Sequence, residues 1–215
     1  MLRIVILCFV CLFPVTTFAE DGNGPQEKKT ALFAGGCFWC IEEAFEKKPG
    51  VIDAISGFSG GDIKNPSYKQ VAAGQTDHIE TVKVIYDPEQ ISYANLLVIF
   101  WQNIDPYDQK GQFCDKGNQY KAFIFYKTRQ QEQLARKSRD ILKNEGALSG
   151  PVATEIREFK NFYKADASHQ GYYKKNPLRY NFYKSACGRS ARLEEIWGNK
   201  NLSRILIPRL ETIRE

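Results

Sequence analysis

Apolar residues recur along the chain in short runs separated by polar, glycine- or proline-containing stretches, and the spacing within each run predicts its secondary structure. Alternating, β-branched or aromatic runs predict strands, whereas apolar positions three and four residues apart predict helices. We therefore expect strands at residues 30–36, 51–58, 78–86 and 119–126. We expect helices at residues 37–47, 92–103 and 129–144, and helical spacing again from residue 191, interrupted by Pro208.

Strands and helices alternate through the chain with short loops and no internal repeat. This pattern is typical of a two-layer α+β sandwich in which helices cover a mixed sheet. A length of 215 residues fits one such domain. We place it at residues 30–190, followed by a helical extension at residues 191–215 that packs back on the domain.

The first residues have the pattern of a targeting segment. Arg3 precedes an apolar run at residues 4–13, and Thr-Phe-Ala at residues 17–19 is typical of a cleavage site, so residues 1–19 are interpreted as a secretory signal peptide. The run is shorter than the roughly 20 residues that cross a membrane, which favours cleavage over an uncleaved anchor. We expect an exported protein, periplasmic or secreted, with a flexible polar leader at residues 20–29.

Composition and charge narrow the class of protein. With 43% hydrophobic and 26% charged residues, the chain has the composition of a folded globular protein. Its formal charge of +5 comes from basic residues spread along the sequence, which does not favour a nucleic-acid partner. Without residues 1–19, four of the six cysteines remain. In an oxidising compartment their simplest interpretation is two structural disulfides.

The most informative stretch is Gly-Gly-Cys-Phe-Trp-Cys at residues 35–40, which places a thiol at a predicted strand-to-helix turn. The N–H groups and positive dipole end of a helix stabilise a thiolate, so we expect a lowered pKa and a nucleophilic role for Cys37. Cys40 lies one helical turn away, close enough for disulfide exchange. Zinc is disfavoured because Cys114 and Cys187 form no second Cys-x-x-Cys pair, and no metal is expected.

Two other protein classes fit part of this pattern. Cys37 and Cys40 have the spacing of a thioredoxin-like protein disulfide oxidoreductase, although the usual order of aromatic and proline residues around such a pair is missing. An exported, non-catalytic interaction domain held by two disulfides would instead leave no free thiol.

Six segments in register resemble the A-type peptide methionine sulfoxide reductases. They are Gly-Cys-Phe-Trp at 36–39, Gly-Phe-Ser-Gly-Gly at 57–61, Asp-His-Ile-Glu at 77–80, Phe-Trp-Gln-Asn-Ile-Asp-Pro at 100–106, Asp-Lys-Gly-Asn-Gln-Tyr at 115–120 and His-Gln-Gly-Tyr at 169–172. The resemblance spans about residues 30–188. It implies a ferredoxin-like core and the thiol-dependent reduction of methionine S-sulfoxide, free and in proteins, to methionine.

The resemblance also implies roles for single residues. Cys37 matches the nucleophile that attacks the sulfoxide sulfur, and Glu80 matches the group that protonates the sulfoxide oxygen. A protonated carboxyl is needed for that step, and burial can provide it by raising the pKa. Asp115 and Tyr120 match positions that hydrogen-bond the oxygen or orient water near it.

Substrate binding is implied for three aromatic residues. Phe38 and Trp39 would form the walls of a small apolar pocket for the S-methyl group. Phe58 stands where the family usually has a tyrosine, so one expected hydroxyl donor is missing. Either Tyr120 suffices, or another tyrosine such as Tyr68 substitutes.

Methionine release would leave Cys37 as a sulfenic acid that a second thiol converts to a disulfide. We favour Cys187 as this resolving thiol, because the family commonly places it on a mobile C-terminal segment, with Cys40 as the local alternative. Cys114 is expected to be an inert buried thiol, with a relay thiol or a structural partner as the alternatives. The resemblance further implies a monomer without a bound cofactor, recycled by a thioredoxin-like dithiol.

Overall fold

A computed structural model describes residues 27–212. The signal peptide predicted at residues 1–19 and most of the leader predicted at residues 20–29 lie outside this range. The strands are β1 (Lys29–Gly35), β2 (Val51–Ser59), β3 (Ile79–Tyr86), β4 (Gly111–Gln112), β5 (Asp115–Lys116), β6 (Ala122–Tyr126), β7 (Glu155–Glu158) and β8 (Phe162–Lys164). The helices are α1 (Phe38–Glu46), α2 (Tyr68–Ala72), α3 (Tyr93–Gln102), α4 (Arg129–Asn144), α5 (Tyr172–Lys175), α6 (Pro177–Ala186), α7 (Arg189–Trp197) and α8 (Leu202–Leu210).

Six of the strands form one mixed sheet in the order β7-β6-β1-β3-β2-β8. The β6–β7 pair is parallel and the other neighbouring pairs are antiparallel, while β4 and β5 form a separate two-stranded ribbon. The predicted α+β class with a mixed sheet is thus confirmed. The strand predicted at residues 119–126 begins later in the structure, because residues 118–120 form a 3₁₀ turn and β6 begins at Ala122.

Both faces of the sheet are covered, as the alternation of side chains along its central strand shows. In β1, Ala31 and Phe33 face the main core beneath the helices, whereas Leu32 and Ala34 face a smaller cluster on the other side. The Phe33 ring packs 4.9 Å from the ring of Phe45 on α1, so the strand before the Gly-Gly turn and the helix after it are fixed against each other.

The C-terminal helix packs on the core. Leu202, Leu206 and Leu210 lie four residues apart on one face of α8 and are fully buried. The expected interruption at Pro208 is wrong, because this residue lies inside the helix. A proline removes the N–H that would bond the carbonyl of Arg204, and both residues lie on the exposed side, where water can bind that carbonyl.

Within residues 27–212, none of the helices combines the length and the apolar character that a membrane crossing requires.

Candidate active site

The turn between β1 and α1 places Cys37 at the N-cap of the helix. Gly36 has φ +81°, and a Cβ at this position would lie 2.6 Å from the Cβ of Gln112. A Cβ on Gly35 would lie 2.7 Å from the side chain of Ile104. Both glycines are therefore required by the tight turn and by close packing, and together they present a Cys37 side chain that is only 6% exposed.

Cys37 opens into a small cavity of about 110 Å³. Side chains from five helices and strands and from the 3₁₀ turn converge on it: Cys37, Phe38, Trp39, Tyr68, Glu80, Asp115, Tyr120 and Tyr183. A thiol, two carboxyl groups and three phenol hydroxyls thus share one aromatic-walled space. Cys37, Glu80, Asp115, Tyr120, Phe38 and Trp39 are the residues of the sequence-predicted site that the structure brings together here.

Glu80 lies near the start of β3 and is 2% exposed. One of its carboxyl oxygens, Oε2, accepts a hydrogen bond of 3.0 Å from the backbone N–H of Phe38, in the first turn of α1. Burial outweighs this bond and raises the pKa of Glu80 to about 8. The carboxyl is therefore mostly protonated at pH 7, the state that can give a proton to a substrate.

Aromatic rings form the apolar part of the cavity. The indole of Trp39 stacks 3.7 Å from the ring of Tyr172 and donates a hydrogen bond of 3.3 Å from its Nε1 to Nδ1 of His169. Phe38 stacks 6.1 Å from Tyr68 across the cavity. These contacts hold flat apolar surfaces beside Cys37, as a thioether or methyl group requires.

The structure does not bring Phe58 to the cavity. Its ring is 1% exposed and packs behind Phe38, with the two ring centroids 5.9 Å apart. The expected substrate contact by Phe58 is therefore wrong. Tyr68 on α2 lines the cavity together with Tyr120, so two hydroxyl groups are available there without one at position 58.

Both tyrosines stay protonated over the physiological pH range and can therefore donate hydrogen bonds. Burial raises the pKa of Tyr68 to about 12 and raises the pKa of Tyr120 further above its usual value. A capping box between Ser67 and Gln70 fixes the start of α2 and so orients Tyr68.

Tyr183, on α6, is a cavity residue that the sequence analysis missed. Its hydroxyl donates a hydrogen bond of 2.5 Å to Oδ2 of Asp115 and also contacts the Cys37 thiol. Burial raises the pKa of Asp115 despite this bond. No motif marked Tyr183, because it lies in a helix whose pattern is mixed and which exposes Leu178 and Phe182.

Cys40 lies behind Cys37 and away from the cavity, in a cluster with Tyr180. Burial raises the pKa of the Cys37 thiol, whereas a hydrogen bond from Cys37 lowers the pKa of Cys40 to about 6. The sequence analysis expected a lowered pKa at Cys37, and this is wrong for the resting pair. Desolvation exceeds the effect of the helix end at Cys37, and the hydrogen bond between the thiols favours ionisation of Cys40.

The other two cysteines form a disulfide, Cys114–Cys187, with Cα atoms 4.9 Å apart. Cys114 is exposed, so the expectation of an inert buried thiol is wrong. Two structural disulfides are also excluded, because Cys37 and Cys40 are free thiols. Cys187 Sγ lies 4.0 Å from Oδ2 of Asp115, which places the disulfide at the wall of the cavity. Both sulfurs are bonded, so they are not thiolate ligands for a metal.

Two polar segments, residues 169–171 and residues 77–78, support the walls of the cavity by hydrogen bonds and close packing. Gln170 bonds both the N–H and the carbonyl of Ser56 on β2, and the Gly171 N–H donates to the buried carboxyl of Glu42 on α1. These bonds fasten the loop that carries His169 and Tyr172. His78 accepts a bond from the Gly61 N–H, and a Cβ on Gly61 would lie 2.7 Å from this imidazole.

Known proteins resemble this chain over most of its length. The matching family model is described as peptide methionine sulfoxide reductase and covers residues 29–201. The chain is 48% identical over 185 residues to the peptide methionine sulfoxide reductase MsrA/MsrB of Vibrio cholerae, covering 86% of this chain and 48% of that protein. It thus spans about half the length of that relative.

Other relatives match along nearly their whole length. Identity is 44% over 174 residues with the peptide methionine sulfoxide reductase MsrA 2 of Staphylococcus aureus, covering 81% of this chain and 98% of that protein. Among solved structures, methionine sulfoxide reductase A of Corynebacterium diphtheriae superposes with a TM-score of 0.66 at 34% identity, covering 73% of this chain and 78% of that one.

Proposed function

The chain belongs to the peptide methionine sulfoxide reductase family, and from this premise we propose that it reduces the S epimer of methionine sulfoxide, free and in exposed protein segments, to methionine. The observation that carries the proposal is the convergence of Cys37 and a neutral Glu80 on one aromatic-walled cavity of about 110 Å³. This space suits a methyl sulfoxide group and little more, so the rest of the substrate lies outside the cavity.

The cavity provides each group that sulfoxide reduction requires. Cys37 attacks the sulfoxide sulfur while Glu80 gives a proton to the oxygen, a contribution of about 10²–10⁴-fold for a general acid. Tyr68 and Tyr120 donate hydrogen bonds to the same oxygen. The attack forms a bond between the Cys37 sulfur and the substrate sulfur. The protonated oxygen then moves to the Cys37 sulfur as the S–O bond and the new S–S bond break, so that methionine leaves and Cys37 becomes a sulfenic acid. The substrate sulfur gains the two electrons that the Cys37 sulfur loses.

We propose Cys40 as the resolving thiol, whereas the sequence favoured Cys187. The hydrogen bond between the two thiols places the sulfurs of Cys37 and Cys40 in contact, and Cys187 is already bonded to Cys114. Cys40 attacks the sulfenic sulfur, water leaves, and a Cys37–Cys40 disulfide forms. A thioredoxin-like dithiol then returns two electrons and two protons, so no bound cofactor is needed.

Export to a periplasm or to the outside of the cell is also part of the proposal. It is supported by the apolar run and cleavage pattern within residues 1–19. Oxidants reach exposed methionines in such compartments, and a monomeric repair enzyme there would depend on an exported reductant.

A thioredoxin-like disulfide oxidoreductase is the alternative that the Cys-x-x-Cys spacing allows. That activity gives no role to a protonated, buried Glu80 beside two phenols, whereas sulfoxide reduction uses all three groups.

The test mixes fully reduced protein with one equivalent of methionine S-sulfoxide and no reductant, followed by intact mass measurement and disulfide mapping. We expect one methionine per chain, a loss of two hydrogens, and a Cys37–Cys40 disulfide. A Cys37–Cys187 disulfide would support the proposed activity but would identify Cys187 as the resolving thiol. If no methionine forms and the thiols stay reduced, the proposed activity is refuted.

A further inference from the structure

Arg189 is a buried cation that forms no direct ion pair with a carboxylate of residues 27–212, although its charge also acts on Asp115 and lowers the pKa of that carboxyl group. Its side chain, on the first turn of α7, is 4% exposed. Nη1 donates to the carbonyl of Asn103 at 2.6 Å, Nη2 donates to the carbonyl of Gly35 at 2.9 Å, and the guanidinium lies 4.2 Å from the ring centroid of Phe113. Arg192, one turn further along the same helix, forms ordinary ion pairs with Asp105 and Glu195.

A buried charge that is paired with carbonyl dipoles alone is expensive, because desolvation costs more than neutral acceptors return. Packing alone would be served by a methionine or leucine at the same position. The cost is explained if the charge acts on an anion nearby. Two anions are stabilised by this charge, the Asp115 carboxylate and the Cys40 thiolate. The contacts of the guanidinium favour the thiol pair, since Nη2 donates to the carbonyl of Gly35, two residues before Cys37, and would lie 3.6 Å from a Cβ on Gly36.

We propose that Arg189 is a positioning residue whose charge balances the negative charge shared by the Cys37 and Cys40 sulfurs. The inference rests on the proposed function, since it explains how a buried thiol becomes a nucleophile. Burial raises the pKa of Cys37 and the hydrogen bond from Cys37 lowers the pKa of Cys40, so ionisation of the resting pair is favoured at Cys40. When substrate enters, the proton moves from the Cys37 sulfur to the Cys40 sulfur, which leaves Cys37 as the attacking thiolate.

The other charged and titratable groups facing the pair either oppose its negative charge or stabilise it less than Arg189 does. Glu80 on β3 and Asp115 on β5 are carboxyl groups that oppose a thiolate when ionised. Tyr180 and Tyr183 on α6 contribute hydrogen bonds. Lys184, also on α6, is partly exposed and bonded at 2.5 Å to Glu43, so that carboxylate offsets its charge.

The experiment measures thiolate formation in the absence of sulfoxide, with the Cys114–Cys187 disulfide intact. Absorbance at 240 nm and the rate of alkylation by iodoacetamide at Cys37 and Cys40 are followed from pH 4 to pH 10. Arg189→Met removes the charge, Arg189→Gln removes the charge but keeps hydrogen-bond donors for the two carbonyls, and Arg189→Lys keeps the charge. Arg192→Met is the matched control on the same helix. Circular dichroism establishes that each variant is folded.

We expect Arg189→Met and Arg189→Gln to raise the midpoint of thiolate formation by about one unit, which makes alkylation about fivefold slower at the wild-type midpoint and about tenfold slower well below it. Arg189→Lys should restore most of this loss, and Arg192→Met should match the wild-type protein. An unchanged midpoint in folded Arg189→Gln, or an equal shift in Arg192→Met, overturns the inference. If the midpoint depends on Arg189 but no methionine forms from sulfoxide, the proposed function fails and this inference survives.

Discussion

The two cysteine pairs of this protein lie in opposite environments. Cys37 and Cys40 are buried free thiols at the start of α1, next to aromatic rings, a neutral carboxyl group and a buried guanidinium. Cys114 and Cys187 are 73 residues apart in sequence and bonded to each other, and Cys114 is exposed. Spacing along the chain therefore does not decide which sulfurs pair. Their surroundings in the fold do.

The different surroundings of the two cysteine pairs also suit them to different roles. The buried pair has a cavity for a small substrate and charged groups that control its protons. The surface pair joins the residue before Asp115 to the end of α6, the helix that carries Tyr183, and so fastens one wall of that cavity. If this division is correct, changes at the first pair remove chemistry, and changes at the second reduce stability or positioning.

Replacing the nucleophile should have the largest effect. Cys37→Ser is expected to reduce methionine formation by about 10⁵-fold or more, because a serine hydroxyl is a poor nucleophile toward sulfur. Product is measured by chromatography in single-turnover mixtures. Cys40→Ser is the matched control, and it should still form one methionine per chain while Cys37 accumulates as a sulfenic acid that dimedone labels. Residual turnover in Cys37→Ser would show that another group is the nucleophile.

Loss of the proton donor should have the next largest effect. Glu80→Gln is expected to reduce kcat/KM by about 10²–10⁴-fold. The wild-type rate should fall as the pH rises through about 8, because the donor loses its proton there, and the variant should lack this decline. Glu46→Gln, which alters a surface ion pair with Lys174, should keep the wild-type profile.

Glu80 also makes the free energy of unfolding depend on pH, and its raised pKa determines the direction of that dependence. Its pKa is about 8 in the folded protein and its usual value is 4.5, so between these values the folded chain holds a proton that the unfolded chain has lost. Stability contributed by this group therefore decreases as the pH rises through that window. The melting temperature of Glu80→Gln should decrease less than that of the wild-type protein between pH 5 and pH 9. If the melting temperatures of the two proteins fall by the same amount between pH 5 and pH 9, the raised pKa of Glu80 is contradicted.

Sequence reasoning succeeded where function depends on local structure. The turn that holds Cys37 is encoded by two glycines between a strand and a helix. Glu80 was identified by the resemblance of residues 77–80 to the family's segment, because a glutamate in a strand would by itself be expected to face solvent. Sequence reasoning failed where tertiary contacts decide. Tyr183 and Arg189 reach the site only because α6 and α7 fold back over the chain, and the pKa of Cys37 depends on burial that no local pattern reports.

The surface disulfide should affect stability more than chemistry. The double variant Cys114→Ser with Cys187→Ser is expected to lose about 2–4 kcal/mol of unfolding free energy, because the cross-link restricts a long loop in the unfolded chain. Denaturant titration measures this loss. Single-turnover methionine formation should stay at one per chain, with a Cys37–Cys40 disulfide as product. A loss of that product would show that Cys187 takes part in resolution.

The smallest effect is expected from one hydroxyl of the cavity wall. Tyr183→Phe removes the hydrogen bond to Asp115 and the contact with the Cys37 thiol. A single bond to a carboxyl group is worth about 1–1.5 kcal/mol, so kcat/KM should fall about five- to tenfold.

Tyr173→Phe is the matched control for this change, because its hydroxyl donates to the carboxylate of Glu46 at 2.8 Å, away from the cavity. It should leave kcat/KM unchanged while losing a hydrogen bond of the same kind. Comparing the two variants shows whether the fall in kcat/KM depends on where the lost hydrogen bond lies or only on its loss. If Tyr183→Phe and the Cys114–Cys187 double variant lower kcat/KM by the same factor and are not additive when combined, the disulfide acts on catalysis through Tyr183, as its attachment at the end of α6 predicts. Additive effects would mean that the surface pair influences the buried pair by another route.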